Sequence, residues 1–303
     1  MSRAFCTITT KSHLFKVDAL NYSLQEHGSV PLHVLVVDVQ EKNQLEPHKG
    51  ITYHTLDELK DNSLVKSILR KYSRQDHIRW CLKPVLMLHL LEETEEVIYL
   101  DNDLFFYNSF EFLFGYLETD NILLSPHWRI MDPEREQIWL ITNFREGIYN
   151  AGFIGANQKA KKTLEWWAKA CRYRCERNFY YALFDDQKYL DIFPVLEPKT
   201  RVLDHKGCNV AGWNIDNCPR TKSNGEVMID NRWQIIFMHY ANETFYNLQQ
   251  AKDNLLKAHF EKYIVTLKRF NPDYDWLREV KPPSLLAWFR YFRWRFRELF
   301  NKK

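Results

Sequence analysis

Short runs of apolar residues, many of them β-branched or aromatic, recur along the chain between longer stretches whose apolar positions follow a helical period. Polar and turn-forming residues bound the short runs, which predict buried strands at residues 4–9, 32–37, 51–55, 97–100, 122–125, 149–156 and 235–240. The longer stretches predict helices at residues 17–27, 78–91, 109–117, 159–177 and 245–266. The β-α-β opening predicts an α/β fold with a parallel sheet wound like that of nucleotide-binding domains.

The segment 96–106, EVIYLDNDLFF, places Asp101 and Asp103 between two apolar runs, at the end of a buried strand. Two carboxylates there are costly unless something pairs with them. A divalent cation such as Mg²⁺ or Mn²⁺ is a natural partner, because it favours carboxylate oxygen and also binds phosphate. The alternative is a turn with two solvated aspartates, which the tripeptide alone would favour. The apolar runs on both sides favour a metal that joins the protein to a diphosphate.

Composition narrows the classes of function. The chain has 42 Lys and Arg against 39 Asp and Glu, a net charge of +3, so nothing indicates general nucleic-acid binding. The six cysteines lack a pair of C-x-x-C motifs, which favours free thiols over a zinc site. The first residues contain no long apolar stretch, and no window reaches the roughly 18 apolar residues of a membrane span. We therefore expect no secretory signal, no N-terminal anchor and no spanning helix.

The phosphate-binding motifs of common nucleotide-binding folds are absent. No G-x-G-x-x-G follows the first strand, which ends in Thr9, and there is no G-K-[ST] loop. Lys83 is the odd residue in the strongly apolar helix predicted at residues 78–91, with Pro84 early in that helix or at its first turn. Lys83 could reach solvent along its apolar stem or be aimed at phosphate, and the sequence leaves both alternatives open.

Polar residues in two later segments are candidates for a binding site. Asn150 begins a predicted strand with two glycines, where backbone or ligand is expected to approach closely. Asp185, Asp186 and Gln187 stand at the entrance of a short helix. One aspartate there could be an N-cap, but the run exceeds what a cap needs. This favours a functional role for Asp186 and Gln187.

The loop 207–215, GCNVAGWNI, contains Asn209, Trp213 and Asn214 and has a composition typical of loops that bind polar ring compounds. His239 lies near the end of the last predicted strand. A lone histidine in such a place is usually a satisfied core residue. Beside a suspected metal site, His239 becomes a candidate third protein ligand.

The end of the chain has a different character. In residues 284–303, aromatic and aliphatic residues recur at helical spacing while arginines and lysines take the other directions. Such a helix suits the bilayer interface, whereas the alternative is a terminal helix packed on the domain. The number of arginines and aromatic residues favours the membrane surface. Prolines at 272, 282 and 283 mark a broken connection, so we predict a domain of residues 1–270 and a basic, aromatic tail of residues 271–303.

The motifs taken together resemble those of the GT-A glycosyltransferases, which use a nucleotide-sugar donor bound through D-x-D and a divalent metal. The closer resemblance is to bacterial enzymes of surface-polysaccharide assembly, and a looser one runs to the retaining glycosyltransferase family 8. The resemblance covers roughly residues 80–242 and rests on the ordered set LKP, YLDND, PH, YNAGF, WW, DDQ, NVAGWN and HY. It implies a GT-A fold with a mixed, mostly parallel sheet and a C-terminal amphipathic tail.

The resemblance also implies roles for individual residues. Asp101, Asp103 and His239 would hold Mn²⁺ or Mg²⁺ with the donor diphosphate, and Asn150, Asp186 and Gln187 would contact the donor sugar. The remaining candidates for donor binding are Thr9, Lys83, Asn209, Trp213 and Asn214. The glycine, lysine and Pro-Trp expected after His239 are replaced by an Ala-Asn-Glu run. The lysine that would hold the leaving diphosphate is therefore supplied elsewhere, for example by Lys83, or is absent.

These residues predict a metal-dependent transfer of a hexose, with a UDP-sugar as donor and a lipid-linked or oligosaccharide glycan as acceptor. In a retaining enzyme Gln187 or Asp186 would lie near the anomeric centre. In an inverting enzyme Asp185 or Asp186 would be the general base. A sugar nucleotidyltransferase is an alternative, although it would need a glycine-rich phosphate loop near the first strand. We expect the protein in the cytoplasm, bound to the anionic inner face of the cell membrane.

Overall fold

The computed structural model describes residues 2–223 and 225–280 of the chain. The strands are β1 Arg3–Thr9, β2 Leu32–Val36, β3 Ile51–Thr55, β4 Glu96–Leu100, β5 Leu104–Phe106, β6 Ile122–Pro126, β7 Tyr149–Asn157, β8 Thr200–Val202, β9 Arg220–Ser223, β10 Glu226–Ile229, β11 Trp233–Gln234 and β12 Phe237–His239. The helices are α1 Leu14–Gln25, α2 Ser63–Lys71, α3 Gln75–Leu90, α4 Glu111–Leu117, α5 Gln137–Glu146, α6 Lys161–Tyr173, α7 Phe193–Leu196, α8 Asn242–Gln249 and α9 Lys257–Phe270.

The central sheet has the strand order β3-β2-β1-β4-β7-β6-β8. Strands β3, β2, β1 and β4 are parallel to one another, and β8 is parallel to β6. Only β7 within this described sheet pairs antiparallel with its neighbours, β4 and β6. The prediction of a mixed, mostly parallel sheet flanked by helices is confirmed. Because β1, β2 and β4 run the same way, their carboxyl ends meet at one edge.

Both faces of the sheet are buried, which explains why its strands read as apolar runs rather than as alternating patterns. On β1, Ala4, Cys6 and Ile8 pack with residues of α2, α3 and α6. On the opposite face, Phe5 meets the rings of Phe110 and Phe114 at centroid distances of 4.9 and 5.2 Å. The site described below therefore stands on strands that are fixed from two sides.

The bounds of the predicted helices differ from the observed ones by up to four residues, as α3 and α6 illustrate. Helix α3 starts at Gln75, so Pro84 lies in its interior and not at its first turn as predicted. The prediction began at residue 78 because the apolar pattern begins there, whereas the first turn of α3 is polar. Helix α6 ends at Tyr173, four residues before the predicted end, since the backbone becomes extended at Arg174.

One predicted element is divided and another is shortened. The predicted helix 245–266 is two helices, α8 and α9, because Ala251 has φ +54° and the backbone turns there. The intervening Asp253 is buried and accepts a hydrogen bond from Arg220 Nε at 3.1 Å. The predicted strand 235–240 is shorter, with β12 restricted to Phe237–His239.

The last described residues pack on the domain. The Tyr274 ring lies 5.3 Å from that of Phe15, and the Trp276 ring lies 5.0 Å from that of Phe260. Glu279 forms a 2.8 Å ion pair with Lys16 of α1. Residues 281–303, which include most of the predicted tail, lie outside the described residues. Within the described ranges, none of the helices has the length and apolar character needed to cross a membrane.

Candidate active site

The chain turns sharply at residues 101–103, between the carboxyl end of β4 and the start of β5. The Leu104 amide donates to the Asp101 carbonyl at 3.2 Å, and the Asp101 amide donates to the Gly152 carbonyl at 2.8 Å. The Asn102 side chain donates to Thr9 Oγ1 at 2.9 Å. Asn102, the middle residue of the motif, thus attaches the turn to the end of β1 through Thr9.

Strand pairing brings His239 to this turn from the far end of the chain. Strand β12 pairs antiparallel with β5, and His239 stands opposite Leu104. The Tyr240 amide donates to the Asp103 carbonyl at 2.9 Å. His239 Nε2 then lies 3.2 Å from Asp103 Oδ1. Asp101, Asp103 and His239 each offer one ligand atom, and these atoms lie within 4.8 Å of one another.

The surroundings of His239 favour metal coordination through Nε2. Its Nδ1 lies 3.2 Å from Asn209 Oδ1, an amide oxygen that can only accept, so Nδ1 carries the proton. This arrangement leaves the Nε2 lone pair available and fixes the plane of the ring. Two carboxylates and one imidazole at this spacing fit a divalent cation such as Mn²⁺ or Mg²⁺.

The charges of the cluster respond to one another. Burial alone would raise the pKa of Asp103, but the charge and hydrogen bond of His239 outweigh burial and hold that pKa well below its usual range. Burial alone would lower the pKa of His239, and Asp103 raises it instead. The Asp103 carboxylate is therefore stabilised by a positive charge beside it, and a bound divalent metal would supply such a charge.

Gly152 has no side chain, and this absence makes room for the side chains of the metal cluster. A Cβ at this position would come within 2.7 Å of Asn150 Oδ1 and of His239 Cε1, and within 2.9 Å of Asp101 Oδ2. Real Cβ atoms essentially never approach so closely. The site residues therefore lie too close to this position for any side chain. This agrees with the close approach of backbone or ligand that the two glycines of this strand predict.

Lys83 is buried and faces the cluster, so it does not reach solvent along its stem. Its Nζ lies 3.2 Å from Asp101 Oδ1 and 3.3 Å from Asp186 Oδ2, and it donates to the Ala151 carbonyl at 3.0 Å. Burial alone would lower the pKa of Lys83, but the two carboxylates outweigh burial and raise it. Lys83 is therefore a cation that links the metal turn to Asp186.

Asp185 and Asp186 have different surroundings. Asp186 is 2% exposed, and burial raises its pKa to about 8 against the opposing charge of Lys83. It begins a short 3₁₀ helix without making a side-chain cap, which removes the N-cap alternative for this residue. Asp185 has φ +50°, and its Oδ2 accepts from Arg177 Nε at 2.7 Å.

Asn150 and Gln187 are held in place by neighbouring groups. Asn150 Oδ1 accepts from the Gly152 amide at 2.8 Å, and its Nδ2 lies 3.1 Å from His127 Nε2. Gln187 accepts from the Ala151 amide at 3.3 Å and donates to the Glu146 carbonyl at 2.9 Å. Both amides are oriented before any ligand arrives.

The 207–215 loop mainly supports the wall of the site. Asn209 is fully buried, has φ +64°, and its amide donates to the Pro126 carbonyl at 3.3 Å. Asn214 donates to the carbonyls of His127 and Asn209 and accepts from the Ala211 amide. Trp213 faces the cleft, with its ring 5.1 Å from that of His239.

A cleft of about 800 Å³ opens above these residues. Seven of the predicted site residues line this cleft: Lys83, Asp101, Asn150, Asp186, Gln187, Trp213 and His239. The lining also includes residues that the sequence did not identify as site residues, among them Trp80, His127, Arg129, Glu146, Arg177, Phe179 and Phe184. His127 lay within the P-H motif, but Arg129 and Glu146 stand in segments without a sequence signal. Four predicted site residues are not among the lining residues: Thr9, Asp103, Asn209 and Asn214.

The architecture is that of the GT-A glycosyltransferases. Galactosyltransferase LgtC, solved in complex with donor and acceptor sugar analogues, superposes with a TM-score of 0.53 at 14% identity, over 92% of this chain and 100% of that chain. Mouse xyloside xylosyltransferase 1 gives a TM-score of 0.51 at 16% identity, over 80% and 99%. The bifunctional glycosyltransferase WbbM gives 0.53 at 12% identity, over 91% of this chain and 50% of that chain. At these identities the likeness establishes the fold.

Two curated relatives come from Bacillus subtilis (strain 168), and both are described as uncharacterized. YfnD is 28% identical over 299 residues, covering 91% of this chain and 90% of the relative. YfnF is 28% identical over 262 residues, covering 83% and 85%. No protein-family model matches the chain.

Proposed function

We propose that this protein is a metal-dependent glycosyltransferase that moves a hexose from a UDP-sugar to a glycan acceptor. The observation that carries the proposal is the cluster of Asp101, Asp103 and His239 at the carboxyl end of a GT-A sheet. The cluster borders a cleft of about 800 Å³, large enough for a nucleotide sugar. The GT-A folds of the structural neighbours, which are glycosyltransferases, support the same class of reaction.

The metal, Mn²⁺ or Mg²⁺, would neutralise the leaving diphosphate as a Lewis acid. Lys83 lies beside Asp101 and would add a fixed positive charge to the same region. This chain has no lysine directly after His239, so the buried Lys83 is the cation that supports the leaving group in our proposal. Fixed charge of this kind usually supplies the largest catalytic effect.

In the transfer, the bond from the anomeric carbon to the diphosphate oxygen breaks, and the electron pair leaves with the diphosphate. A bond to the acceptor oxygen forms, and the acceptor proton moves to the departing phosphate or to a base. Asp186 is bound by Lys83 and Asp185 by Arg177, so neither carboxylate is an unpaired base in the cleft. This favours retention, with Asp186 and Gln187 beside the anomeric centre. The alternative is inversion with one aspartate as the base.

Incubation with a panel of nucleotide sugars and Mn²⁺ or Mg²⁺ tests this proposal. We expect slow release of UDP from one donor, which stops in EDTA and in Asp103→Ala. The matched control is Asp57→Ala, which removes an exposed carboxylate paired with Lys60 and should leave turnover unchanged. Full turnover in EDTA would exclude the metal, and NMR of the product anomer would separate retention from inversion.

We infer further that the acceptor is lipid-linked and belongs to bacterial surface polysaccharide or lipopolysaccharide synthesis. The bacterial source of the curated relatives supports this context. The basic and aromatic composition of residues 284–303 supports binding to the anionic inner face of the cell membrane. Each basic residue near such a surface contributes roughly 1 kcal/mol.

A chain truncated after Pro283 tests the membrane proposal. We expect the full chain to sediment with anionic liposomes, less so at high salt, and the truncated chain to stay in the supernatant. Turnover of a water-soluble acceptor analogue should survive, because no site residue lies in the removed segment. Unfolding of the truncated chain would instead show that the tail belongs to the core.

A further inference from the structure

Arg129, just after β6, is a buried cation in the wall of the cleft, with 7% of its surface exposed. Its Nη2 donates to Glu146 Oε2 at 2.7 Å. Its Nε and Nη1 are also buried and have no hydrogen-bond partner in the described part of the chain. A buried donor without a partner is destabilising, and more so when it is charged. Two such donors on one guanidinium point to a ligand that supplies the missing acceptors.

The backbone before Arg129 has an unusual conformation. Trp128 has φ +58°, a left-handed conformation that is uncommon for a bulky residue and costs free energy. His127 and Arg129, the residues on either side of Trp128, both line the cleft. The Trp139 ring of α5 lies 5.8 Å from the guanidinium and helps to hold it. The position of Arg129 is therefore imposed by the fold.

Arg129 and Lys83 face different carboxylates. The negative charges that act on Arg129 come from Glu146 and Glu243, whereas Lys83 contacts Asp101 and Asp186. Burial lowers the pKa of Arg129, because these glutamates compensate for the lost solvation only in part. Arg129 thus faces the part of the cleft bordered by α5 and the start of α8, whereas Lys83 faces the metal turn.

That part of the cleft has an excess of hydrogen-bond donors. Trp213 Nε1 is another buried donor without a partner among the described residues, and its ring packs 5.7 Å from that of His127. His127 itself stays neutral, because burial and the neighbouring Arg129 lower its pKa well below the usual value. A ligand that offers several acceptor oxygens would satisfy these groups.

We propose that Arg129 binds an acidic group, a carboxylate or phosphate, on the acceptor glycan. The planar guanidinium matches such groups in a bidentate manner. This inference rests on the proposed function, since it assigns the metal side of the cleft to the donor and the Arg129 side to the acceptor. Arg129 would then determine specificity by selecting acidic over neutral acceptor sugars.

Saturation-transfer NMR with Mg²⁺ and UDP present tests this assignment without requiring turnover. The probes are methyl glucuronide, glucose 6-phosphate and the neutral methyl glucoside. We expect wild-type protein to bind at least one acid about tenfold more tightly than the neutral sugar, in line with a charged hydrogen bond. Arg129→Met should remove that preference. The matched control Arg70→Met removes an exposed arginine of α2 that does not line the cleft and should keep the preference.

Two further variants keep the proposal testable if Arg129→Met does not fold. Glu146→Gln removes the carboxylate that competes for Arg129 and should tighten acid binding, while Arg129→Lys should retain part of the preference. Equal binding of all three sugars, or none, would overturn the proposal. Loss of UDP affinity in Arg129→Met would assign Arg129 to the donor instead, also against the proposal. Failure of the proposed function would appear separately, as absent UDP–Mg²⁺ binding in the wild-type protein.

Discussion

At Gly152 an added methyl group would collide with three site residues, at 2.7 Å from Asn150 and His239 and 2.9 Å from Asp101. We expect Gly152→Ala to reduce divalent-cation affinity by about 10–100-fold, because the ligands must move apart. Titration of Mn²⁺ in the presence of UDP measures this change. The control is Gly115→Ala, where a Cβ on the exposed side of α4 meets nothing within 4 Å. Unchanged cation affinity in Gly152→Ala would show that the three residues do not hold the ion.

Asp186 offers a second test at a single residue. Asp186→Asn replaces the carboxyl group that lies 3.3 Å from Lys83. We expect kcat to fall on the order of a hundredfold while UDP affinity changes little, since this contact matters most in the transition state. Steady-state kinetics with the accepted donor would measure both. A raised KM with an unchanged kcat would assign Asp186 to ground-state binding.

The sequence was informative for residues whose type conflicts with their apolar surroundings. Asp101, Asp103 and His239 were predicted from carboxylates and an imidazole at strand ends, and the structure brings them within 4.8 Å. Arg129 could not be recognised in the same way. It follows a strand in a loop of mixed charge, and its burial depends on α5, which the sequence did not indicate.

Among the elements, the edge formed by β2 and β3 carries a pH-sensitive contact. His33 Nδ1 lies 2.9 Å from His54 Nε2. Burial and the charge of His33 lower the pKa of His54 from 6.5 to about 4, although Glu58 opposes this shift. The folded state therefore favours neutral His54, and the associated stability is complete above pH 6.5 and lost as the pH falls toward 4.

We expect the thermal midpoint to fall by a few degrees between pH 6.5 and pH 4.5, and His54→Gln to flatten part of this dependence. Differential scanning fluorimetry across that range measures both. His48→Gln is the control, because His48 is partly exposed and pairs only with Asp18 at 3.8 Å among the ion pairs described. An identical pH dependence in His54→Gln and wild type would contradict the assignment.

Elements with strong apolar patterns were predicted from sequence more reliably than their ends. The strands β1, β2, β3, β4, β6 and β7 appear close to their predicted bounds. The break between α8 and α9 was missed, because the left-handed residue there is an alanine, a type that does not signal a turn. The first turn of α3 was also missed, because it is polar and the apolar periodicity begins only at the second turn.

In the whole molecule, the candidate metal ligands join two distant parts of the chain. Asp101 and Asp103 flank the turn between β4 and β5, whereas His239 ends β12. A cation that binds all three should therefore stabilise the fold, by about 2.7 kcal/mol at a hundred times its dissociation constant. We expect Mn²⁺ or Mg²⁺ to raise the thermal midpoint of wild-type protein and of Asp57→Ala, but not of Asp103→Ala. An equal rise in all three would indicate non-specific binding.

The global topology was the hardest part to predict. The β-α-β opening indicated a parallel sheet, and the resemblance implied a mixed one. No local pattern specified that β7 lies antiparallel between β4 and β6, or that β5 pairs with β12. Both pairings join segments whose contact depends on tertiary packing, which periodicity does not record.

The pairing of β5 with β12 has a consequence for synthesis on the ribosome. The first two carboxylates of the cluster emerge more than a hundred residues before His239, which at ordinary translation rates is on the order of ten seconds. During that interval the apolar β5, Leu104–Phe106, has no β12 to cover its edge. The nascent chain would present an exposed strand edge to chaperones until β12 emerges, and only then could the metal-binding cluster be completed.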